Sequence, residues 1–165
     1  MPRSMRETGG EQRGLTLRQA IDLAVEHHSA GRLPEARRVC EEILQTDPNR
    51  PVVLHLLGLI AHQMANHGDS VDLITKALAL RPDYVEVHGN LGLALQGLGK
   101  TEEAIASHRR ALAIKPDFAE VHNNLGVALQ GLGKFGDAEA ACGLAIAIKA
   151  DYAEAYNNLG NALQS

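Results

Sequence analysis

The sequence contains no tryptophan, only 3% aromatic residues and just two cysteines, and each shortage excludes something. Sandwiches and barrels build their cores from branched and aromatic side chains. A chain rich in Ala, Leu and Gly is instead expected to be all-α, with helices packed closely through small residues. Cys40 and Cys142 are too few and too far apart for a disulfide framework and fit a reducing, cytoplasmic compartment. No apolar run approaches the roughly 20 residues that a membrane span needs. The opening MPRSMRETGGEQRG also lacks the apolar segment of a signal peptide, so no membrane partner is expected. A basic excess is missing too: 16 Lys and Arg against 20 Asp and Glu give a formal charge of −4, which disfavours nucleic acid as a partner. Residues 1–14 have no periodicity and are expected to form a disordered tail ahead of one domain over 15–165.

What the chain does have is a repeat. Sliding the sequence against itself by 34 residues aligns Leu57, Leu91, Leu125 and Leu159, with Leu23 one unit earlier. Units therefore run 17–50, 51–84, 85–118 and 119–152, with a partial fifth at 153–165, and the third and fourth share about 20 of 34 residues. This period marks a solenoid rather than a single globular core. Within the third unit, His88, Leu91, Gly92 and Leu95 follow the i, i+3, i+4, i+7 spacing of one helix face, ending at GLGK. A second helix carries Ala104, His108, Ala111 and Ile114 and stops before Pro116. Asp83, Asp117 and Asp151 stand three residues before Glu86, Glu120 and Glu154, which predicts capping boxes at the next helix starts. Gly58, Gly92, Gly126 and Gly160 lie on the packed face of the first helix. Because glycine inside a helix costs about 1 kcal/mol against alanine, their recurrence predicts close backbone approach there.

These residues resemble the tetratricopeptide repeat family. The likeness covers 17–165 and rests on four Leu-Gly pairs (57–58, 91–92, 125–126, 159–160), on Ala36, Ala104 and Ala138 early in the second helix, on Ala77, Ala111 and Ala145 later in it, and on Pro48, Pro82 and Pro116. Departures are Ala20, Leu54, His88 and His122 at the place usually given to an aromatic, which returns as Tyr156, together with Ser70 for Ala and Ala150 for Pro. The resemblance implies a right-handed superhelix of antiparallel helix pairs whose first helices line a concave groove for an extended peptide or a partner's helix.

The helical wheel leaves Asp22, Leu56, Asn90, Asn124 and Asn158 at one outward place, joined by Asn123, Asn157 and Asn161 nearby. An asparagine offers both a donor and an acceptor, so a column of them at repeat spacing can bond a peptide main chain without reading its sequence. This resembles the asparagine ladder in the repeats of O-linked N-acetylglucosamine transferases. The carboxylate clamp of chaperone-binding members needs cations at the concave places, which here hold Ile21, Val52, His55, Glu86, Gly89, Glu120 and Glu154, with Arg18 alone positive. The three glutamates edge the groove with negative charge, favouring neutral or basic peptides, although a capping role also accounts for them.

No metal or cofactor is expected. His55 and His62 lie seven apart on one helix, but there is no third converging ligand, Cys-x-x-Cys or His-Glu-x-x-His pattern. His88 and His122 occupy a packed place and are expected to be core residues. Cys40 and Cys142 align with Ile74 and His108 in the second helix, a core place rather than that of an exposed nucleophile. GLGK at 97–100 and 131–134 is a turn, since no strand precedes it and no Gly-Lys-Ser/Thr follows. The leading expectation is a non-catalytic interaction scaffold. The alternative is the N-terminal substrate-recruiting region of a larger transferase whose catalytic domain is absent from this chain. The closing EAYNNLGNALQS is a first helix without its second, which suggests that more chain follows or that another copy covers it, giving a homo-oligomer through the C-terminal helix.

Overall fold

The structure, a computed structural model, describes residues 15–164; the tail expected over 1–14 lies outside them. Among the described residues there are nine helices and no strand: α1 Leu17–Ser29, α2 Leu33–Thr46, α3 Pro51–Gln63, α4 His67–Leu80, α5 Val85–Gly97, α6 Thr101–Ile114, α7 Ala119–Gly131, α8 Phe135–Ile148 and α9 Ala153–Leu163. The first helices start at 17, 51, 85, 119 and 153, in step with the sequence period. None of the described helices is long and apolar enough to cross a membrane.

Helices α3, α5 and α7 each pack on the second helix of their own unit and on that of the unit before, while α1 packs on α2 and α9 on α8. Successive first helices also touch one another, α1 with α3, α3 with α5, α5 with α7 and α7 with α9, whereas the second helices make no such contacts. An array whose members meet on one side only must curve toward that side, so the first helices line the inner face of the superhelix. The core is correspondingly strung along the array, with Ala36, Ala77, Ala104, Ala111, Ala138 and Ala145 all sealed from solvent between helix pairs.

The glycine column does what its spacing predicts. A Cβ built on Gly58 would stand 2.6 Å from Ile74 Cγ1, on Gly92 2.4 Å from the His108 ring, and on Gly126 2.5 Å from Cys142 Sγ. Each is a plug from the second helix seated directly on the first. At Gly160 nothing lies within 4 Å. The α9 face that a further second helix would cover is open, with Tyr156 and Leu163 exposed.

The capping boxes fall elsewhere than expected. Helices α5, α7 and α9 are capped by Tyr84, Phe118 and Tyr152, with no side-chain cap bond. Asp83, Asp117 and Asp151 therefore lie one residue too early to reach the third backbone N–H of the helix. A different device recurs at these joints: Arg81 lies 3.8 Å above the Tyr84 ring, and Lys115 and Lys149 lie 4.9 Å above Phe118 and Tyr152. The attraction of a cation for an aromatic face holds the linker folded back. In the first unit the corresponding joint is an Arg50–Asp47 ion pair. A reciprocal capping box does form at α1, where Gln19 N–H donates to Thr16 Oγ1 and Thr16 N–H donates to Gln19 Oε1.

Candidate peptide-binding face

The inner face is built from α1, α3, α5, α7 and α9, and the asparagines on it are not equivalent. Asn90 donates its side-chain amide to His55 Nε2 at 2.8 Å. Asn158 donates to Asn123 Oδ1 at 2.9 Å, and Asn123 donates in turn to Glu154 Oε1 at 3.3 Å. A third bridge joins His28 Nε2 to Gln63 Oε1 at 3.0 Å. Three of the bridges between neighbouring first helices join residues 35 apart, one more than the repeat, and α7 and α9 are tied further by Asn123–Glu154 and by Gln130 Nε2–H donating to the Asn158 carbonyl at 2.6 Å. Parallel neighbours in this array thus pair a residue of one unit with the residue one step further along in the next.

Asn123, expected on the exposed face, is fully buried instead. Sandwiched between α7 and α9, its amide is spent on Asn158 and Glu154. Leu56, placed in the same outward column as the asparagines, is also buried and belongs to the core of the first two units. Asp22, Asn157 and Asn161 are exposed, while Asn90, Asn124 and Asn158 are half-buried in the seams between first helices.

Charge on this face is set by carboxylates. Glu86, Glu120 and Glu154 are exposed in the first turns of α5, α7 and α9, where the helix dipole also favours them. Burial pushes the Tyr152 hydroxyl up from its ordinary range, and the charges of Glu154 and Glu120 push it further. His55 is held down to about 4, chiefly by burial and against the pull of Glu86. It is therefore a neutral acceptor for Asn90 near pH 7, and its ring meets Tyr84 edge-on at 5.3 Å.

The remaining titratable side chains read as packing. His88 and His122 are buried, and each Nε2–H donates to a loop carbonyl, of Pro82 and Pro116 respectively, at 2.8 Å. Cys40 and Cys142 are buried free thiols. Burial raises Cys40 to about 11 and raises Cys142 as well, which holds both protonated and non-nucleophilic. His62 and His67 pair through Nδ1 atoms 3.1 Å apart. No group of three or more potential metal ligands occurs among the described residues.

Comparison with known proteins agrees with this architecture. Family models described as tetratricopeptide repeats match residues 73–106 and 119–150, and one described as a TPR repeat matches 97–133. The crystal structure of MamA superimposes with a TM-score of 0.79 at 25% identity, covering 87% of this chain and 84% of that one. A variant of the Thermobaculum terrenum O-GlcNAc transferase aligns with a TM-score of 0.74 at 30% identity, over 78% of this chain. The Caenorhabditis elegans UDP-N-acetylglucosamine–peptide N-acetylglucosaminyltransferase is 29% identical over 89 residues, or 54% of this chain. The match spans only 8% of the worm enzyme, and this chain covers 25% of the Thermobaculum one.

Proposed function

We propose that this chain, an array of tetratricopeptide repeats, is a non-catalytic protein-interaction scaffold that holds an extended peptide along its inner face. The observation that carries the reading is the run of half-buried side-chain amides at one-unit spacing, Asn90, Asn124 and Asn158, beside the exposed carboxylates Glu86, Glu120 and Glu154. Amides supply main-chain hydrogen bonds, and the carboxylates select neutral or basic peptides over acidic ones. The exposed Asn157 and Asn161 extend the polar surface along α9. Two buried, unpaired thiols support a reducing, cytoplasmic setting. The test is selection of binding peptides from a random display library on the wild-type chain, followed by capture with the Asn90→Ala/Asn124→Ala/Asn158→Ala variant. Loss of capture is expected, and unchanged capture would sink the reading.

A second reading is favoured by the likeness to two O-GlcNAc transferases: the repeats recruit substrate for a transferase. If so, the selected peptides should be modified faster by a transferase fused to this chain than by one fused to the triple variant.

A further inference from the structure

Three bridges between first helices follow one rule, and at one place the rule has no side chain to act on. His55, Gly89 and Asn123 occupy the same place in successive units, and each should meet the column residue of the next unit, 35 positions on. His55 meets Asn90 and Asn123 meets Asn158. Opposite Asn124 stands Gly89, which has nothing to offer. Gly89 is buried against α7, its Cβ direction ending 3.1 Å from Val121 Cγ2. Asn124 is half-buried, with no side-chain hydrogen bond among the described residues. Its two donors and one acceptor are unspent on the protein and not closed off from solvent, so they are open to a ligand that can pair with them.

Building on the peptide-binding reading above, we propose that Gly89 opens the seam so that Asn124 alone grips the peptide main chain, while Asn90 and Asn158 are structural bridges. The Asn124 Nδ2–H donates to a peptide carbonyl and its Oδ1 accepts from a peptide N–H, which is the pairing one strand offers another. Two carboxylates flank the grip: Glu120 lies one helical turn before Asn124, and Glu86 one turn before Asn90. A peptide with Lys or Arg next to the gripped residue fits this surface best.

The test uses a fluorescein-labelled ten-residue peptide taken from the library selected on the wild-type chain, with affinity read by fluorescence anisotropy. Asn124→Ala is expected to weaken binding tenfold or more, the scale set by losing a paired amide. Asn90→Ala and Asn158→Ala should change it less than threefold. Gly89→His, which recreates the His55–Asn90 bridge at Asn124, should weaken binding as much as Asn124→Ala although the asparagine is kept. Gly89→Ala, too short to reach Asn124, should bind like wild type and shows that the backbone tolerates a side chain there. Equal losses from all three asparagine variants would overturn the single grip and leave the ladder standing. No loss from any would overturn both. Full affinity in a folded Gly89→His variant, checked by its thermal melt, would overturn the role given to Gly89.

Discussion

The second unit, 51–84, and the third, 85–118, have helices of identical length, 13 residues then 14, yet they fill the same places with different chemistry. The plug on the first-helix glycine is the hydrocarbon of Ile74 in one and the imidazole of His108 in the other, both sealed from solvent. The turn between helices is built on Ala65 in one and Gly99 in the other. The small residue early in the second helix is Ser70 or Ala104, and the inner column carries Leu56 or Asn90. The backbone is therefore governed by what the units share, helix length, the Leu-Gly pair and the alanines. The exchanged side chains each solve a local problem at their own energetic cost.

The largest expected effect tests what is shared. Gly92→Ala puts a methyl within 2.4 Å of the His108 ring, which cannot bend away as an alkyl chain can. Overpacking of this kind costs about 1–3 kcal/mol, partly offset by the roughly 1 kcal/mol by which alanine favours a helix. Gly160→Ala, with open space around it, keeps only the favourable part. The helix term is common to both, so chemical denaturation should separate the two variants by about 1–3 kcal/mol, Gly92→Ala the less stable. Equal stabilities would mean that the glycine column does not set helix spacing.

Next comes the exchanged plug. Burial holds His108 down to about 4 from an ordinary 6.5, so the folded chain keeps it neutral where the unfolded chain protonates. Stability from this residue is complete above 6.5 and declines as pH falls from 6.5 toward 4, by about 2 kcal/mol at pH 5. His55 has a similar shift and adds its own decline in the same window. His108→Ile, the plug of the second unit, should remove about 2 kcal/mol of the stability difference between pH 8 and pH 5 and leave the part due to His55. An unchanged pH profile would show that the imidazole is protonated inside the fold.

Legibility followed the same division. Helix starts and the glycine contacts were readable because they recur at a fixed place within each unit. The pairing of the inner amides was not, because it arises between units: a one-residue advance from helix to neighbouring helix decides that Asn123 is consumed in a seam and that Asn124 faces Gly89. The caps misled because Asp-x-x-Glu fits a capping box in spacing, while the turn at each joint places the aromatic, not the aspartate, at the helix boundary. The signal for what happens there stood in the same words: RPDY, KPDF and KADY each put a cation or aromatic three residues from its partner, at Arg81 and Tyr84, Lys115 and Phe118, Lys149 and Tyr152. Nothing in a single unit announces that Ala65 takes a left-handed backbone. It does so because the three other turns, at Gly31, Gly99 and Gly133, share one geometry that the array imposes.

That turn supplies the third test. Ala65 has φ +60°, beside +73° at Gly99, and its N–H reaches the His62 carbonyl as that of Gly99 reaches Gln96. A side chain in this region costs about 1–2 kcal/mol, reduced when glycine replaces it by the greater freedom glycine has in the unfolded chain. Ala65→Gly should therefore stabilise the chain by up to about 1 kcal/mol, and Gly99→Ala should destabilise it by a similar amount. Thermal melts that moved both variants the same way would show that the second turn is not strained and that the two units differ there only in name.

The smallest effect lies at the Ser70 and Ala104 exchange. Ser70 Oγ–H donates to the Gly58 carbonyl at 2.8 Å in a place closed to solvent. That carbonyl lies inside α3 and already accepts a helical N–H, so removing the hydroxyl leaves no orphaned acceptor. Ser70→Ala should cost about 0.5–1 kcal/mol, the net worth of one buried neutral hydrogen bond, and not the larger penalty of an unsatisfied group. The reciprocal Ala104→Ser supplies a donor over the Gly92 carbonyl and should change stability by only a few tenths of a kcal/mol. A loss above about 2 kcal/mol in Ala104→Ser would show that the third unit packs its helices more tightly than the second, with no room for one oxygen where the second unit holds it at no strain.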